Sequence, residues 1–145
     1  MFLTKECDYA IRIVRALADK EVKFVKTICE SEFIPHAFAY KILKKMEKEG
    51  IVKSYRGIAG GYQLVKDPSK LTLIDIVQAV DKNLLLNECL RDAGESCPNN
   101  ANGNYCNVHR ELIRAQGILI DTLSEKTMKE LASKEKMQEK LYEIK

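Results

Sequence analysis

The sequence predicts a mainly α-helical fold with a small β-hairpin, and three observations carry that prediction. Apolar residues recur at helical spacing in three successive segments between residues 4 and 49. Two strand-like segments joined by a glycine-rich turn follow directly, at residues 51–65. A longer helical pattern covers residues 108–123. This order of elements is typical of a winged helix-turn-helix followed by a long C-terminal helix.

The first two predicted helices are short and amphipathic. Thr4 is placed to cap a helix that ends near Lys20. Its apolar stripe is Ala10, Ile13, Val14 and Leu17. A second helix of about two turns is predicted around residues 25–29, and a tight connection at residues 33–34 leads to the next element.

The third predicted helix, from Pro35 to about Glu49, has one apolar face and one cationic face. Pro35 fits the first helical turn, where its missing N–H leaves no bond unmade, and Gly50 is a natural stop. The predicted buried stripe is Ala39, Ile42, Leu43 and Met46. Two short helices, the second with a cationic outer face, form a helix-turn-helix. A lysine-rich face alone is more often simply solvated, so the segment that follows decides between the two interpretations.

Residues 51–55 and 62–65 have strand composition, and the turn between them contains three glycines. A hairpin directly after the second helix of a helix-turn-helix is the wing of a winged helix. Its glycines allow a close approach to a phosphate backbone, and Arg56 at its base is placed to reach phosphates or a narrow minor groove. A nucleotide phosphate loop is excluded, because the G-x-x-x-x-G-K-[ST] arrangement is absent and no helix begins after the turn.

The C-terminal half begins with a predicted helix that Thr72 and Asp75 cap and that ends near Val80. A polar loop at residues 83–107 contains three cysteines. In the long helix that follows, Leu112, Ala115, Ile118, Leu119 and Thr122 lie on one side, with Ile113 and Ile120 on another. Apolar residues on two faces favour a dimer interface over a helix lying deep in one core.

A short last helix capped by Ser124 and a frayed, charged tail after Ser133 complete the prediction. We therefore divide the chain into three parts. Residues 1–82 form the winged helix-turn-helix, residues 83–108 the cysteine-rich loop, and residues 109–145 the dimerisation helix and tail.

Charge and composition indicate a nucleic-acid partner and argue against a membrane. The net charge is only +3, but residues 36–56 hold six basic residues against two acidic ones. No stretch approaches the roughly 18 apolar residues of a membrane span, and the first residues lack the apolar stretch of a secretory signal. We therefore expect a cytoplasmic protein, in which cysteines serve metal or redox chemistry better than a disulfide framework.

The cysteine loop has the spacing Cys89-x7-Cys97-x8-Cys106-x2-His109. Three interpretations stay open: an iron–sulfur cluster, whose usual ligands are thiolates with histidine as an accepted substitute; a structural zinc site; and a thiol switch or an idle set of cysteines. The cluster is favoured, because zinc sites usually have two short ligand pairs and only Cys106-x2-His109 is short. Cys7 and Cys29 lie in helical patterns and are interpreted as small buried hydrophobes.

The combined pattern resembles the family of bacterial winged-helix repressors that includes the iron–sulfur cluster regulator IscR, the nitric-oxide sensor NsrR and the cysteine-metabolism repressor CymR. The resemblance covers roughly residues 1–132. The matching features are Leu3-Thr4…Asp8-Tyr9-Ala10, the helix of residues 34–50, Val52-Lys53-Ser54-Tyr55-Arg56-Gly57…Gly60-Gly61-Tyr62, Asp75-Ile76-Val77…Ala79-Val80-Asp81, and the Cys…Cys…Cys-x-x-His loop.

This resemblance implies a homodimer whose two winged helices bind half-sites of an imperfect palindrome in double-stranded DNA. The residues that it places at the major groove are His36, Ala37, Phe38, Tyr40 and Lys41. Arg56 and Gly57 would border the minor groove, and the phosphate partners would be Lys44, Lys45 and Lys53. Ala37, Tyr40 and the pair Ile58-Ala59 depart from what is common in relatives, so the base preference is not carried over.

The resemblance also implies a [2Fe–2S] or [4Fe–4S] cluster on Cys89, Cys97 and Cys106, with zinc or no cofactor as the alternative. His109 and Asp8 of the partner chain both match positions that supply a fourth ligand in relatives. The implied function is a repressor that senses iron–sulfur status, nitric oxide or redox stress, and not an enzyme. The alternative is a cluster-free regulator controlled by a partner protein or by thiol or zinc chemistry.

Overall fold

A computed structural model describes residues 3–95, 97–100 and 106–133. The predicted tail after Ser133 and part of the cysteine loop therefore lie outside the described residues. The elements are α1 (Lys5–Ala16), α2 (Val25–Glu32), α3 (His36–Lys48), β1 (Val52–Tyr55), β2 (Gly61–Leu64), α4 (Leu73–Val80), a 3-10 helix (Glu88–Gly94), α5 (Asn107–Glu125) and α6 (Met128–Ala132). A mainly α-helical fold with one antiparallel hairpin is confirmed.

Helix α1 is shorter than the sequence predicts. The Thr4 hydroxyl accepts a hydrogen bond from the Cys7 N–H at 3.4 Å, which confirms the predicted cap. The helix ends at Ala16, however, and not near Lys20, which has a positive φ of 64°. The Asp19 carboxylate accepts hydrogen bonds from the Glu21 N–H at 3.0 Å and from the Lys23 ammonium at 2.6 Å. This local turn competes with further helical hydrogen bonds.

The connection between α2 and α3 is as tight as predicted. Phe33 adopts the left-handed conformation (φ 55°, ψ 49°), and the Ile34 N–H donates to the Cys29 carbonyl at 3.0 Å. Pro35 stands just before the first turn of α3, one position earlier than expected, and its carbonyl accepts from Phe38 and Ala39. Gly50 stops this segment with a φ of 70°, as predicted.

The core lies between α1, α2, α3 and α4, with contributions from the hairpin and from α6. Its largest fully buried side chains include Ile13, Leu17, Ile28, Ile42, Leu43, Met46, Leu64, Leu71, Ile76 and Met128. Cys7 and Cys29 are both buried in this cluster, and burial raises the pKa of the Cys29 thiol. These two cysteines therefore behave as the small hydrophobes that the sequence predicts.

Strands β1 and β2 pair in a register that runs from Val52 opposite Leu64 to Tyr55 opposite Gly61, and we call residues 52–64 the wing. The wing is fastened to the body of the domain. The Ser54 N–H and hydroxyl both donate to the Glu47 carboxylate, at 2.9 and 2.6 Å. Tyr62 and Lys23 exchange two backbone hydrogen bonds at 2.9 Å.

The C-terminal helices return to the core through α6. Thr72 and Asp75 form the predicted capping box of α4. Helix α5 runs past Ser124 to Glu125, so the predicted cap at Ser124 is wrong. Thr127 caps α6 instead, because it forms a reciprocal capping box with Glu130. Met128 is 2 % exposed, and its N–H donates to the Leu71 carbonyl at 2.7 Å.

Candidate DNA interface and cysteine loop

The outer face of α3 presents the side chains that the family resemblance would place at the major groove. The opposite face of the helix is buried against the core, which fixes this outer face toward solvent. The exposed residues are His36, Ala37, Phe38, Tyr40 and Lys41. Phe38 also packs edge-on against Tyr9 of α1, with 5.7 Å between ring centroids. The aromatic contact fixes one end of this exposed face.

Two lysines of α3 are paired within the protein. The Glu6 carboxylate binds the Lys41 and Lys45 ammonium groups, each at 2.5 Å, and Lys45 also donates to the Val80 carbonyl at 3.0 Å. Hydrogen bonds from Lys41 and then Lys45 hold the pKa of Glu6 below its usual value. Lys44 is exposed and makes no ion pair in the part of the chain that the structure describes. Sequence reasoning missed Glu6, because its partners are remote along the chain.

Replacing Glu6 by glutamine is expected to strengthen DNA binding. The change frees two lysines for phosphates without removing a side chain that packs. The expected gain is about 1 kcal/mol, together with a steeper fall of affinity with salt. Glu111→Gln removes the same charge from an exposed ion pair on α5 and serves as the control. Fluorescence anisotropy across a salt series measures both; an unchanged or weaker affinity of Glu6→Gln contradicts the prediction.

The wing presents the cations that the sequence assigns to the minor groove and the backbone. Arg56 is exposed and forms no ion pair within the described residues. The Lys53 ammonium lies over the Tyr55 ring, 5.5 Å from its centroid, and remains exposed. Gly57 has a φ of 97°, which favours glycine, and its carbonyl accepts a hydrogen bond from the Gly60 N–H at 3.0 Å.

A hydrogen-bond chain ties the wing to the turn that follows α1. The Tyr55 hydroxyl donates to the Gln63 side chain at 2.9 Å, and the Gln63 amide donates to the Lys20 carbonyl at 2.6 Å. The left-handed turn at Lys20, which shortens α1, thus also supplies an anchor for the wing. Gln63 is a second residue that the sequence pattern did not indicate.

The three loop cysteines are part-exposed free thiols. Asn87 accepts from the Cys89 N–H at 3.1 Å at the start of the 3-10 helix, and Asn100 accepts from the Cys106 N–H at 3.3 Å. Cys97 begins a turn in which its carbonyl accepts from the Asn100 N–H at 2.9 Å. Across the ranges 3–95, 97–100 and 106–133, no group of three or more His, Cys, Asp or Glu side chains is close enough to hold a metal ion.

His109 differs from the other residues of α5. It is the buried residue of that helix, with 7 % of its surface exposed, and its Nδ1 atom has no hydrogen-bond partner among the described residues. A buried imidazole nitrogen without a partner is costly and calls for an explanation. Three accessible thiols and one unpartnered imidazole fit the donor chemistry of an iron–sulfur cluster or of zinc.

Asp8, the other candidate for a fourth ligand, is committed within its own helix. Its carboxylate accepts from the Arg12 guanidinium at 3.0 Å and lies 3.8 Å from the Lys5 ammonium. This side chain would have to leave both partners to coordinate a metal ion in a second chain. The geometry therefore favours His109 over Asp8.

Most of α5 is exposed. Val108, Ile113 and Ile118 are each more than half exposed, and this exposure rules out the alternative of a helix lying deep in one core. Apolar side chains at this density on one exposed helix are typical of an interaction surface. Among the helices that the structure describes, none is long and apolar enough to cross a membrane.

Comparisons with known proteins agree with this arrangement. Protein aau3 of Rhizobium meliloti is 33% identical over 101 residues, an alignment that covers 68% of this chain and 65% of aau3. NsrR of Geobacillus kaustophilus, a helix-turn-helix transcriptional regulator, is 31% identical over 100 residues, or 67% of this chain and 68% of NsrR. The structure of CymR, the global cysteine regulator of Bacillus subtilis, superposes with a TM-score of 0.70 and 25% identity, over 89% of this chain and 94% of CymR.

A family match covers nearly the whole described chain. Residues 3–134 match Rrf2, which is described as an iron-dependent transcriptional regulator. The winged helix-turn-helix expected from the sequence, its exposed cationic face and the relatives all agree with this match, and none of them indicates an enzyme. The chain belongs to the Rrf2 family of DNA-binding transcriptional regulators.

Proposed function

We propose that this chain is a homodimeric repressor that senses iron–sulfur status, nitric oxide or redox stress through a cluster held by Cys89, Cys97, Cys106 and His109. The observation that carries the sensor half is the unpartnered Nδ1 of buried His109 beside the cysteine loop. The family to which this chain belongs is described as iron-dependent, which supports iron over zinc as the metal at this site. When bound, a cluster would supply iron and sulfide that nitric oxide, oxygen species or iron shortage can attack.

The DNA half of the proposal rests on two exposed surfaces of residues 1–82. The outer face of α3 would meet base edges in the major groove, and Arg56 with Gly57 would border the minor groove. The phosphate partners would be Lys44 and Lys53, together with Lys45 once it exchanges Glu6 for a phosphate. These contacts position the domain, whereas the contacts of α3 select the sequence.

Exposed apolar residues on two sides of α5 support a homodimer. Ile113 and Ile118 are each 52 % exposed. In a homodimer that forms through residues 109–145, the α5 helix of the second copy would cover these side chains. A two-fold dimer presents two α3 helices at a fixed separation and so matches an imperfect palindrome. Dimerisation through α5 also explains why a chain of this size has a long helix that is not buried in its own core.

The cysteine loop is placed to alter that separation. Residues 83–108 connect α4, which packs in the core beside α3, to α5. The loop is also tied, near its start, to the middle of α5, because the Leu86 N–H donates to the Gln116 side chain at 2.9 Å. A change in how the loop cysteines are held would therefore shift α5 relative to α4 and the DNA-binding unit.

A cluster-free regulator is the second candidate. The loop cysteines are not gathered among the described residues, and the structural relative CymR is by its title a cysteine regulator. Under this alternative, a partner protein, zinc or thiol oxidation would act on the same loop. The cluster stands as the first candidate because neither a partner protein nor thiol oxidation explains the unpartnered imidazole of His109.

Anaerobic isolation tests the sensor half directly. The wild type is expected to be coloured and to contain iron and sulfide, whereas Cys97→Ala is expected to lose both. Cys29→Ala removes a buried core thiol and should keep them. A colourless wild type with one zinc ion, or with no metal, overturns the cluster. If the cluster-loaded and cluster-free dimers bind the operator with identical affinity, the sensing role is refuted, whereas the proposed DNA binding stands.

A further inference from the structure

Ile58 is fully exposed at the tip of the wing. Its exposure is 100 %, the highest of any large apolar residue that the structure describes. An isoleucine in this place contributes no buried surface to folding. A single exposed apolar residue is common on protein surfaces, so a functional role for Ile58 depends on the structure and charge around it.

That setting is a tightly folded tip on a fastened hairpin. A methyl group added at Gly60 would lie 2.6 Å from the Tyr55 carbonyl oxygen, so the chain doubles back closely around Ile58. Hydrogen bonds from Ser54 to Glu47 and from Gln63 to Lys20 hold the base of the wing. The position of Ile58 relative to α3 is thus set by the domain rather than by a loose loop.

The charge around Ile58 selects the class of partner. Residues 50–66 contain Lys53, Arg56 and Lys66 and no acidic residue. Arg56, two positions before Ile58, is exposed and forms no ion pair among residues 3–95, 97–100 and 106–133. A polyanion is the partner that suits this environment, and the first strand of the wing lies beside α3, the helix whose outer face is assigned to DNA.

We propose that Ile58 is an apolar wedge that enters the minor groove beside Arg56 and presses against a base step. This inference rests on the proposed DNA binding and adds a specificity determinant to it. Apolar side chains in minor grooves partly unstack a base step, and they do so at the least cost at flexible pyrimidine–purine steps. Ile58 therefore responds to the deformability of the base step, whereas Arg56 responds to the negative electrostatic potential of the minor groove.

The experiment uses the full chain, isolated anaerobically, and an operator selected from a pool of random-sequence duplexes. The step under the wing is located by footprinting and is then changed among TA, AT and AA, with a fluorescent purine analogue at that step. Ile58→Ser is compared with Val65→Ser, which removes another exposed apolar residue (41 % exposed) just outside the wing. Circular dichroism verifies that both variants are folded.

The wild type and Val65→Ser are expected to prefer TA over AA by about tenfold, and the analogue should brighten on binding. Ile58→Ser should lose the preference and the brightening, while its fall of affinity with salt stays unchanged. An Ile58→Ser variant that keeps the preference overturns the wedge, as does a wild type that has none. A wild type that selects no duplex at all would instead refute the proposed DNA binding, and the wedge with it.

Discussion

Arg56→Ala is expected to weaken operator binding by about 1–3 kcal/mol, or roughly ten- to a hundredfold, and to abolish most discrimination between specific and random DNA. Arg56 is exposed and forms no ion pair within the described residues, so no internal bond is lost in the variant. The wing itself is held by other side chains. The loss should therefore appear in DNA binding and leave the free energy of unfolding unchanged.

Lys53→Ala is the matched control for Arg56. Lys53 is also an exposed cation of the wing, and it rests on the Tyr55 ring. Its removal should weaken binding to all duplexes alike and reduce the slope of log affinity against log salt by about 1. Quantitative footprinting on the operator, with anisotropy on random DNA, separates the two effects. Equal losses for the two variants on both duplexes contradict a minor-groove role of Arg56.

Gly61→Ala is expected to have the largest effect on stability. The φ of Gly61 is 143°, and a methyl group there would lie 2.3 Å from the Lys23 carbonyl oxygen. That oxygen accepts the Tyr62 N–H, so the clash would break the pairing of the wing with the body. We expect a loss of about 3 kcal/mol or more in the free energy of unfolding, together with loss of operator binding.

Gly50→Ala isolates the steric part of that loss. Gly50 also has a positive φ, of 70°, but a methyl group there would meet no atom within 4 Å. Its cost should be the conformational one alone, about 1 kcal/mol. Urea denaturation followed by circular dichroism gives both values. Comparable losses for Gly50→Ala and Gly61→Ala would show that the contact with Lys23 does not matter.

The elements governed by local patterns were predicted well from the sequence. The Thr4 cap, the capping box of Thr72 and Asp75, and the stop at Gly50 depend on residues a few positions apart. The periodic stripe of α3 is buried as expected, because a helical repeat leaves only one way to face the core. The class of the fold follows from these signals and their order.

Errors arose where a local signal competed with another one. Ser124 is a good cap by composition, yet α5 continues through it, and its hydroxyl donates to the Ile120 carbonyl at 2.7 Å instead. Helix α1 ends earlier than predicted because Asp19 forms its own turn. In both places, the same polar side chain could form a cap or turn in one structure and a different local hydrogen bond in another.

The candidate site was harder to predict, because its energetics depend on distant partners. The pairing of Glu6 with Lys41 and Lys45 joins α1 to α3 and leaves no trace in sequence spacing. The burial of His109 was likewise invisible, since neighbouring residues of α5 are exposed. Spacing nominated the four cluster residues, but spacing cannot say whether they meet, and the ligand set stays a prediction.

The return of α6 to the core closes the second half of the chain into a ring. Met128 is bonded to the Leu71 carbonyl, and Lys129 donates to the Pro68 carbonyl at 3.0 Å, so the chain between them begins and ends at one point. The C-terminal end of α5 is therefore held close to the core by α6. In the proposed switch, a displacement that starts at the cysteine loop would reach the core through α6 as well as through α4, and so the frame that carries α3 and the wing.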